Sequence, residues 1–171
     1  MDLSSVSIHA WIQKYQLKTE KGELIEFRDH PFLFDIYSDW SPLQVIMKPA
    51  QVGMTTLEIV KSIWGVRRFG LDSIFTQPAD SDVLDFVGGK VNRIIAQNPI
   101  LREYTKDRDT IEQKQVGKNL IYYRGTWSKK VAMMVSSDWL IHDEVDASKQ
   151  DVISDYESRV QHSKHKWRWY F

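Results

Sequence analysis

The sequence contains no cysteine, no long apolar run and no excess of charge of either sign. Without cysteine, disulfides and cysteine-ligated metal sites are excluded, and a reducing cytoplasm is a compatible location. No apolar run reaches the roughly 18 residues of a membrane-spanning helix. The first residues lack a basic region followed by an apolar stretch, so we expect no secretory signal. The 23 basic and 23 acidic residues cancel, so overall charge gives no argument for nucleic-acid binding.

What is present is typical of a soluble globular domain. The 171 residues can bury a genuine core, and 42% of them are hydrophobic. Apolar segments with strand character alternate with segments of helical periodicity, which predicts an α/β fold with a mostly parallel sheet flanked by helices. In such folds ligands bind at the carboxyl edge of the strands. Strands are predicted at 43–47, 73–78, 112–116, 120–124, 135–143 and 166–171, and helices at 4–16, 57–64, 79–97 and 145–162.

The most informative segment is the loop 48–56, which lies between a predicted strand and a predicted helix. A phosphate-binding loop usually reads Gly, four residues, Gly, Lys, then Ser or Thr. Here Gly53 and Thr55 occupy the second glycine and hydroxyl positions, whereas Met54 stands where lysine is usual and Lys48 where the first glycine is usual. A lysine at the front of the loop still reaches phosphates, because its stem is long and its ammonium is a mobile point charge.

Each part of this loop has a separate chemical task. Gly53 lets backbone amides approach phosphate oxygens closely, and the first N–H groups of the following helix carry the positive end of its dipole. Thr55 can place its hydroxyl on Mg²⁺, and Lys48 can neutralise charge on the phosphates. The alternative is a tight turn before a helix, with a solvated Lys48. The predicted nucleotide-binding residues are Lys48, Pro49, Ala50, Gln51, Val52, Gly53, Met54, Thr55 and Thr56.

A second motif ends the strand predicted before residue 143. Nucleotide hydrolases need an acidic residue at a strand end to hold Mg²⁺ and a carboxylate to activate the attacking water. We assign Asp143 to the metal and Glu144 to the water. The chain already turns at a strand end, so the two adjacent carboxylates can face one site. The alternative is a solvated acidic turn. His142 is either a buried neutral imidazole bonded to a neighbour or a sensor near the γ-phosphate.

Together these motifs resemble the ATPase half of large terminase subunits, the DNA-packaging motors of tailed bacteriophages and related viruses. The resemblance extends from about Phe27 to the last residue. The displaced lysine before a Gln-Val-Gly core is fairly specific, and the Asp-Glu-Val-Asp ending strengthens it. The segments that carry the resemblance are 48–55, 76–80, 98–102 and 141–146.

The resemblance implies a RecA-like P-loop core over residues 27–171, preceded by an N-terminal extension over 1–26. It implies hydrolysis of ATP with Mg²⁺, coupled to movement of double-stranded DNA into a procapsid in the host cell cytoplasm. The implied partners are a portal protein, a small terminase subunit and further copies of the chain in a ring. By position, Lys48 would bind phosphate and contribute to catalysis, Thr55 and Asp143 would serve Mg²⁺, and Glu144 would activate water.

The sequence also departs from the family pattern. Some relatives carry a γ-phosphate-sensing arginine within the loop, but Ala50 and Gln51 stand in that region, so Arg124 and Arg159 become candidates. The family's coupling motif and nuclease domain lie beyond these residues, so we expect a fragment whose isolated hydrolysis is in question. Two alternatives stay open: a helicase-like translocase, and a nucleotide-binding or assembly module that hydrolyses nothing, which Met54 would favour.

Overall fold

A six-stranded sheet runs through the centre of the protein, in the order β1-β6-β5-β2-β4-β3. The computed structural model describes residues 6–49, 51–127 and 135–171. All neighbouring strands are parallel except β3, which pairs antiparallel with β4 in the predicted hairpin around Gly117. The strands are β1 (Leu43–Val45), β2 (Ser73–Gln77), β3 (Gln113–Val116), β4 (Asn119–Gly125), β5 (Trp139–His142) and β6 (Trp167–Tyr170).

Helices cover both faces of this sheet, and the prediction of a mixed α/β fold is therefore confirmed. No helix in the described ranges combines the length and apolarity that a membrane crossing requires. A π-helical turn, Val87–Val91, joins α4 to α5 at the predicted Gly88-Gly89 interruption. The helices are α1 (Ile8–Tyr15), α2 (Phe32–Ser38), α3 (Met54–Phe69), α4 (Asp80–Phe86), α5 (Asn92–Gln97), α6 (Pro99–Thr105) and α7 (Gln150–Glu157).

The core lies mainly on one face of the sheet. There α1 to α6 share one hydrophobic cluster with Phe75, Ile141 and Trp169, while α7 covers a smaller cluster around Leu140 on the opposite face. Residues of α1 enter the same large core as α3. The division of the chain at residue 26 therefore stays a prediction.

Strand register brings the carboxyl ends of the parallel strands to one edge. At this edge the last paired residues of four neighbouring strands lie side by side, so the segments that carry Lys48 and the acidic pair leave the sheet at the same edge. The paired positions are Val45, Tyr170, His142 and Thr76, in the order β1, β6, β5 and β2.

Helix α3 is longer than predicted, and its ends explain why. Gly53 precedes it with φ of 81° and Gly70 follows it with φ of 68°, both in the left-handed region that glycine adopts without strain. Its middle is buried on all sides, because the sheet packs on one side and α2 on the other. A helix buried all round lacks a polar stripe, so hydrophobic periodicity alone underestimates its length.

Alanine substitution should change stability in opposite directions at Gly65 and at the pair Gly88 and Gly89. A Cβ at Gly65 would lie 2.7 Å from a Trp139 ring carbon and 2.8 Å from one of Trp40, whereas nothing lies within 4 Å of a Cβ at Gly88 or Gly89. We expect Gly65→Ala to lower the free energy of unfolding by about 1–3 kcal/mol through overpacking. Gly88→Ala and Gly89→Ala should each raise it by about 0.4–1 kcal/mol by restricting the unfolded chain. Denaturant titration measures all three, and equal effects would contradict this packing.

Candidate functional site

The ammonium of Lys48 lies among three carboxylates at the carboxyl edge of the sheet. It forms an ion pair with Asp143 Oδ1, lies 3.1 Å from Glu58 Oε1, and lies 3.7 Å from Glu144 Oε1. The structure therefore brings the early lysine and the distant acidic pair to one place. Glu58, from α3, was not among the residues singled out in the sequence.

Asp143 is fixed from two directions. Its Oδ2 accepts a hydrogen bond of 2.9 Å from Gln77 Nε2, and its Oδ1 accepts one of 2.9 Å from the Glu144 backbone N–H. Only 3% of the residue is exposed. Gln77 ends β2 directly beside β5, so the parallel register sets this contact. These two hydrogen bonds hold the carboxylate in one orientation.

Glu144 differs from its neighbour in backbone and exposure. Its φ of 52° lies in the left-handed region, which turns the chain sharply at the end of β5. Its side chain is 54% exposed, whereas that of Asp143 is only 4% exposed. The sharp turn allows two adjacent carboxylates to face one site, as the strand-end argument requires. The Glu144 carboxylate is thus accessible to solvent, whereas that of Asp143 is enclosed.

Burial and charge set the protonation of the cluster. Full burial, followed by the charge of Asp143, raises the pKa of Glu58 well above its ordinary value. Burial alone would lower the pKa of Lys48, but the charges of Glu58 and Asp143 outweigh it and raise that pKa. Lys48 therefore stays cationic at neutral pH. Glu58 Oε2 is buried and has no hydrogen-bond partner within the described part of the chain.

The loop after Lys48 leads into the amino end of α3. Gln51 and Gly53 both have positive φ, 62° and 81°, so the chain enters the left-handed region at two positions just before the helix. The first N–H groups of α3 have no acceptor within the helix, so they can bind an anion. Met54 is buried at 3% exposure, and its side chain is therefore not presented to solvent. Ala50 lies outside the described residues.

A cleft of about 1170 Å³ opens beside this loop, and it could hold a nucleotide. A smaller cavity of about 230 Å³ adjoins it and shares Thr55, Lys90 and Glu144 with the cleft. Thr56 lines the cleft, and its Oγ1 lies 3.3 Å from Glu20 Oε2. The predicted loop residues that line the cleft are Lys48, Pro49, Gln51, Val52, Gly53, Met54, Thr55 and Thr56.

The donor set suits Mg²⁺ bound together with phosphates. In the described ranges no three His, Cys, Asp or Glu side chains form a self-sufficient metal site. Mg²⁺ usually takes only one or two carboxylates and completes its shell with water and substrate phosphates. Thr55 and Asp143 both line the smaller cavity, beside Glu144. These oxygen donors fit a Mg²⁺ ion that arrives with a nucleotide.

His142 is a buried neutral imidazole, the first of the two predicted alternatives. Its Nδ1 lies 2.7 Å from Thr76 Oγ1, and its ring stacks on Tyr170 at 5.3 Å between centroids. Burial lowers the pKa of His142 to about 3. It lines neither cavity, so the structure gives no support to a sensor role.

Because His142 resists protonation, it should make the protein sensitive to acid. The unfolded chain protonates this ring near pH 6.5, but the folded protein does so only near pH 3. Its stabilisation is therefore complete above pH 6.5 and is lost as pH falls from 6.5 toward 3. Between pH 7.5 and 5 we expect a loss of about 2 kcal/mol from this residue.

Denaturant titrations at those two pH values test this expectation. His142→Asn should shrink the difference in unfolding free energy between pH 7.5 and 5, whatever its effect on absolute stability. His165→Asn, at an exposed histidine, is the matched control and should leave the difference unchanged. An undiminished difference in His142→Asn would show that another group causes the acid sensitivity.

The other candidates lie elsewhere or have a different role. Arg124 donates to the backbone oxygens of Tyr123 and Glu112, and neither Arg124 nor Arg159 lines the two cavities. Glu58 and Gln77 left recognisable signals in the sequence. Glu58 is a charge within an apolar helical segment, and Gln77 ends a strand next to the one that carries the acidic pair.

A family model for the phage terminase large subunit gpA ATPase domain matches residues 28–160. The chain belongs to this family. No curated protein and no solved structure matches it. Most of the geometry described above falls within the matched range, including Lys48, Glu58, Gln77 and the acidic pair.

Membership of the terminase gpA ATPase family implies a DNA-packaging ATPase role. The resemblance seen in the sequence is therefore confirmed at the level of the family. The roles of the individual site residues rest on the geometry alone and stay predictions.

Proposed function

We propose that the chain is a RecA-like P-loop ATPase domain that binds ATP with Mg²⁺ and couples its hydrolysis to translocation of double-stranded DNA into a procapsid. The observation that carries this proposal is the convergence of Lys48, Asp143 and Glu144 at the amino end of α3. A cation, a metal-binding carboxylate and a freer carboxylate are the groups that phosphoryl transfer to water requires.

Each residue would act according to its surroundings. The N–H groups at the start of α3 would bind phosphate oxygens, and Thr55 would bind Mg²⁺ with Asp143. Glu144 would accept a proton from the attacking water, because its side chain is the most exposed carboxylate of the cluster. Mg²⁺, when bound, would neutralise charge on the phosphates.

Nucleotide binding would require an exchange of partners. The Lys48 ammonium contacts Asp143 directly, so the same two groups cannot serve phosphate and metal while they remain paired. Lys48 would turn toward the phosphates, and Asp143, still held by Gln77, would become available to the metal. This exchange links phosphate binding to metal binding, so we expect ATP to bind weakly without Mg²⁺.

The assembly that would use this activity follows from the family. We propose that several copies form a ring on a portal protein and that a small terminase subunit delivers the DNA, in the host cell cytoplasm. Arg124 and Arg159 line neither cavity of their own chain, so neither would contact the phosphates within one copy.

Titration with a fluorescent, non-hydrolysable ATP analogue tests the proposed nucleotide site. We expect saturable binding with Mg²⁺ and at least about tenfold weaker binding in EDTA, because metal and phosphate share one site. Absence of binding at millimolar analogue with Mg²⁺ would contradict the proposal. In the full-length protein, ATP hydrolysis stimulated by double-stranded DNA would distinguish the motor from a module that binds nucleotide without hydrolysing it.

A further inference from the structure

Lys48 alone leaves the site short of positive charge. Its ammonium already forms an ion pair with Asp143 and lies 3.7 Å from the exposed Glu144 carboxylate, while the third carboxyl group beside it, that of Glu58, favours its neutral form because burial raises its pKa. A triphosphate that enters this environment adds further negative charge, only part of which Mg²⁺ would neutralise. The site therefore calls for a second cation of the protein near the terminal phosphate.

Lys90 occupies such a place. It lines the cleft beside the phosphate loop and also the smaller cavity that contains Thr55, Asp143 and Glu144. Among the described residues that line the smaller cavity, Lys90 is the one cation. The smaller cavity adjoins Glu144, the proposed activator of water, so the phosphate nearest to it would be the one that is attacked.

Backbone geometry explains how Lys90 comes to face the site. It belongs to the π-helical turn Val87–Val91, in which the Asn92 N–H donates to the Val87 carbonyl five residues back. A π-turn inserts one residue into a helix and shifts the direction of the side chains that follow, and such turns are frequent at functional sites. Gly88 and Gly89 are not required by packing, since a Cβ at either would meet open space. They instead weaken the helix next to Lys90.

Lys90 is also available for a ligand. It is exposed, and no carboxylate lies within 4.0 Å of its ammonium in the part of the chain that the structure describes. The nearby Asp82 accepts instead from the Ala79 backbone N–H at 2.9 Å. Its long, flexible stem lets the ammonium follow a phosphate that enters either cavity.

We propose that Lys90 contacts the terminal phosphate of the bound nucleotide, and so supplies from within the chain the cation that the phosphate loop lacks. This inference rests on the proposed function, because it presupposes a triphosphate in the cleft. It assigns to the π-helical turn a task in distinguishing ATP from ADP.

Competition titrations with a non-hydrolysable ATP analogue and with ADP, both with Mg²⁺, test the assignment. We expect Lys90→Ala to weaken the affinity for the ATP analogue about tenfold, the value of one charge-assisted contact, and to change ADP affinity less than about twofold. Lys90→Arg should retain most of the preference for the analogue. Arg93→Ala is the matched control, because Arg93 is exposed on the adjoining helix and lines neither cavity.

The outcomes separate this inference from the proposed function. If wild type binds both nucleotides and Lys90→Ala keeps the wild-type preference for the analogue, the Lys90 assignment is wrong and the nucleotide site stands. An equal loss for both nucleotides would also overturn the assignment, since it would place Lys90 away from the terminal phosphate. If wild type binds neither nucleotide, both proposals fail. Circular dichroism of each variant excludes misfolding as the cause.

Discussion

We expect Glu144→Gln to lower ATP turnover by the full-length protein about 100-fold or more while ATP affinity changes little. Glutamine keeps the size of the side chain but cannot accept a proton from the attacking water. Glu144 lies 3.7 Å from the Lys48 ammonium and is the most exposed of the three carboxylates around it, so its charge contributes least to the stability of the cluster. The loss should therefore appear in turnover and not in folding.

Steady-state hydrolysis and analogue binding, measured on the same preparation, check this expectation. Glu103→Gln is a suitable control, since Glu103 is exposed and pairs with Lys106, the residue that follows α6. Wild-type turnover in Glu144→Gln would eliminate Glu144 as the base. A parallel loss of analogue binding would instead assign it to the metal or phosphate shell.

Lys48→Ala should reduce both turnover, again about 100-fold or more, and ATP affinity. It removes the proposed phosphate contact and leaves Asp143 and Glu58 facing each other without a cation. Removal of one partner from a buried ion pair, here Lys48 from Asp143, should cost about 3–5 kcal/mol of stability. Loss of activity in this variant alone would therefore be ambiguous.

A second substitution resolves the ambiguity. In Lys48→Ala/Glu58→Gln the side chain at position 58 can no longer ionise beside Asp143, so we expect part of the lost unfolding free energy to return. Turnover should stay low, because the phosphate contact is still absent. Glu58→Gln alone serves as the control for stability. Recovery of turnover along with stability would show that Lys48 supports the fold and does not act on the nucleotide.

The meeting of Lys48 and Asp143 at one edge of the sheet was predictable from the sequence, whereas the residues that hold Asp143 in place were only partly so. Strand and helix periodicity placed Lys48 and Asp143 at the ends of parallel strands, and such ends meet at one edge. Gln77 was predictable as a strand end, but its pairing with Asp143 depends on β2 being the direct neighbour of β5. Strand order is a long-range property that no local pattern specifies.

Glu58 and Lys90 show two other limits. Glu58 lies in a helix that is buried all round, where periodicity does not tell which side chain faces the loop. Lys90 depends on one extra residue in a helical turn, and Gly88-Gly89 indicated only an interruption of the helix. Both side chains are oriented by tertiary packing, so the sequence alone does not show that they face the site.

The central claim is that Lys48 and the acidic pair act on the same triphosphate. A structure of the protein with a non-hydrolysable ATP analogue and Mg²⁺ tests it most directly. We expect the Lys48 ammonium to leave Asp143 and lie within about 3 Å of a phosphate oxygen, with Asp143 and Thr55 at the metal. A nucleotide bound away from the amino end of α3, with Lys48 still paired to Asp143, would contradict the account.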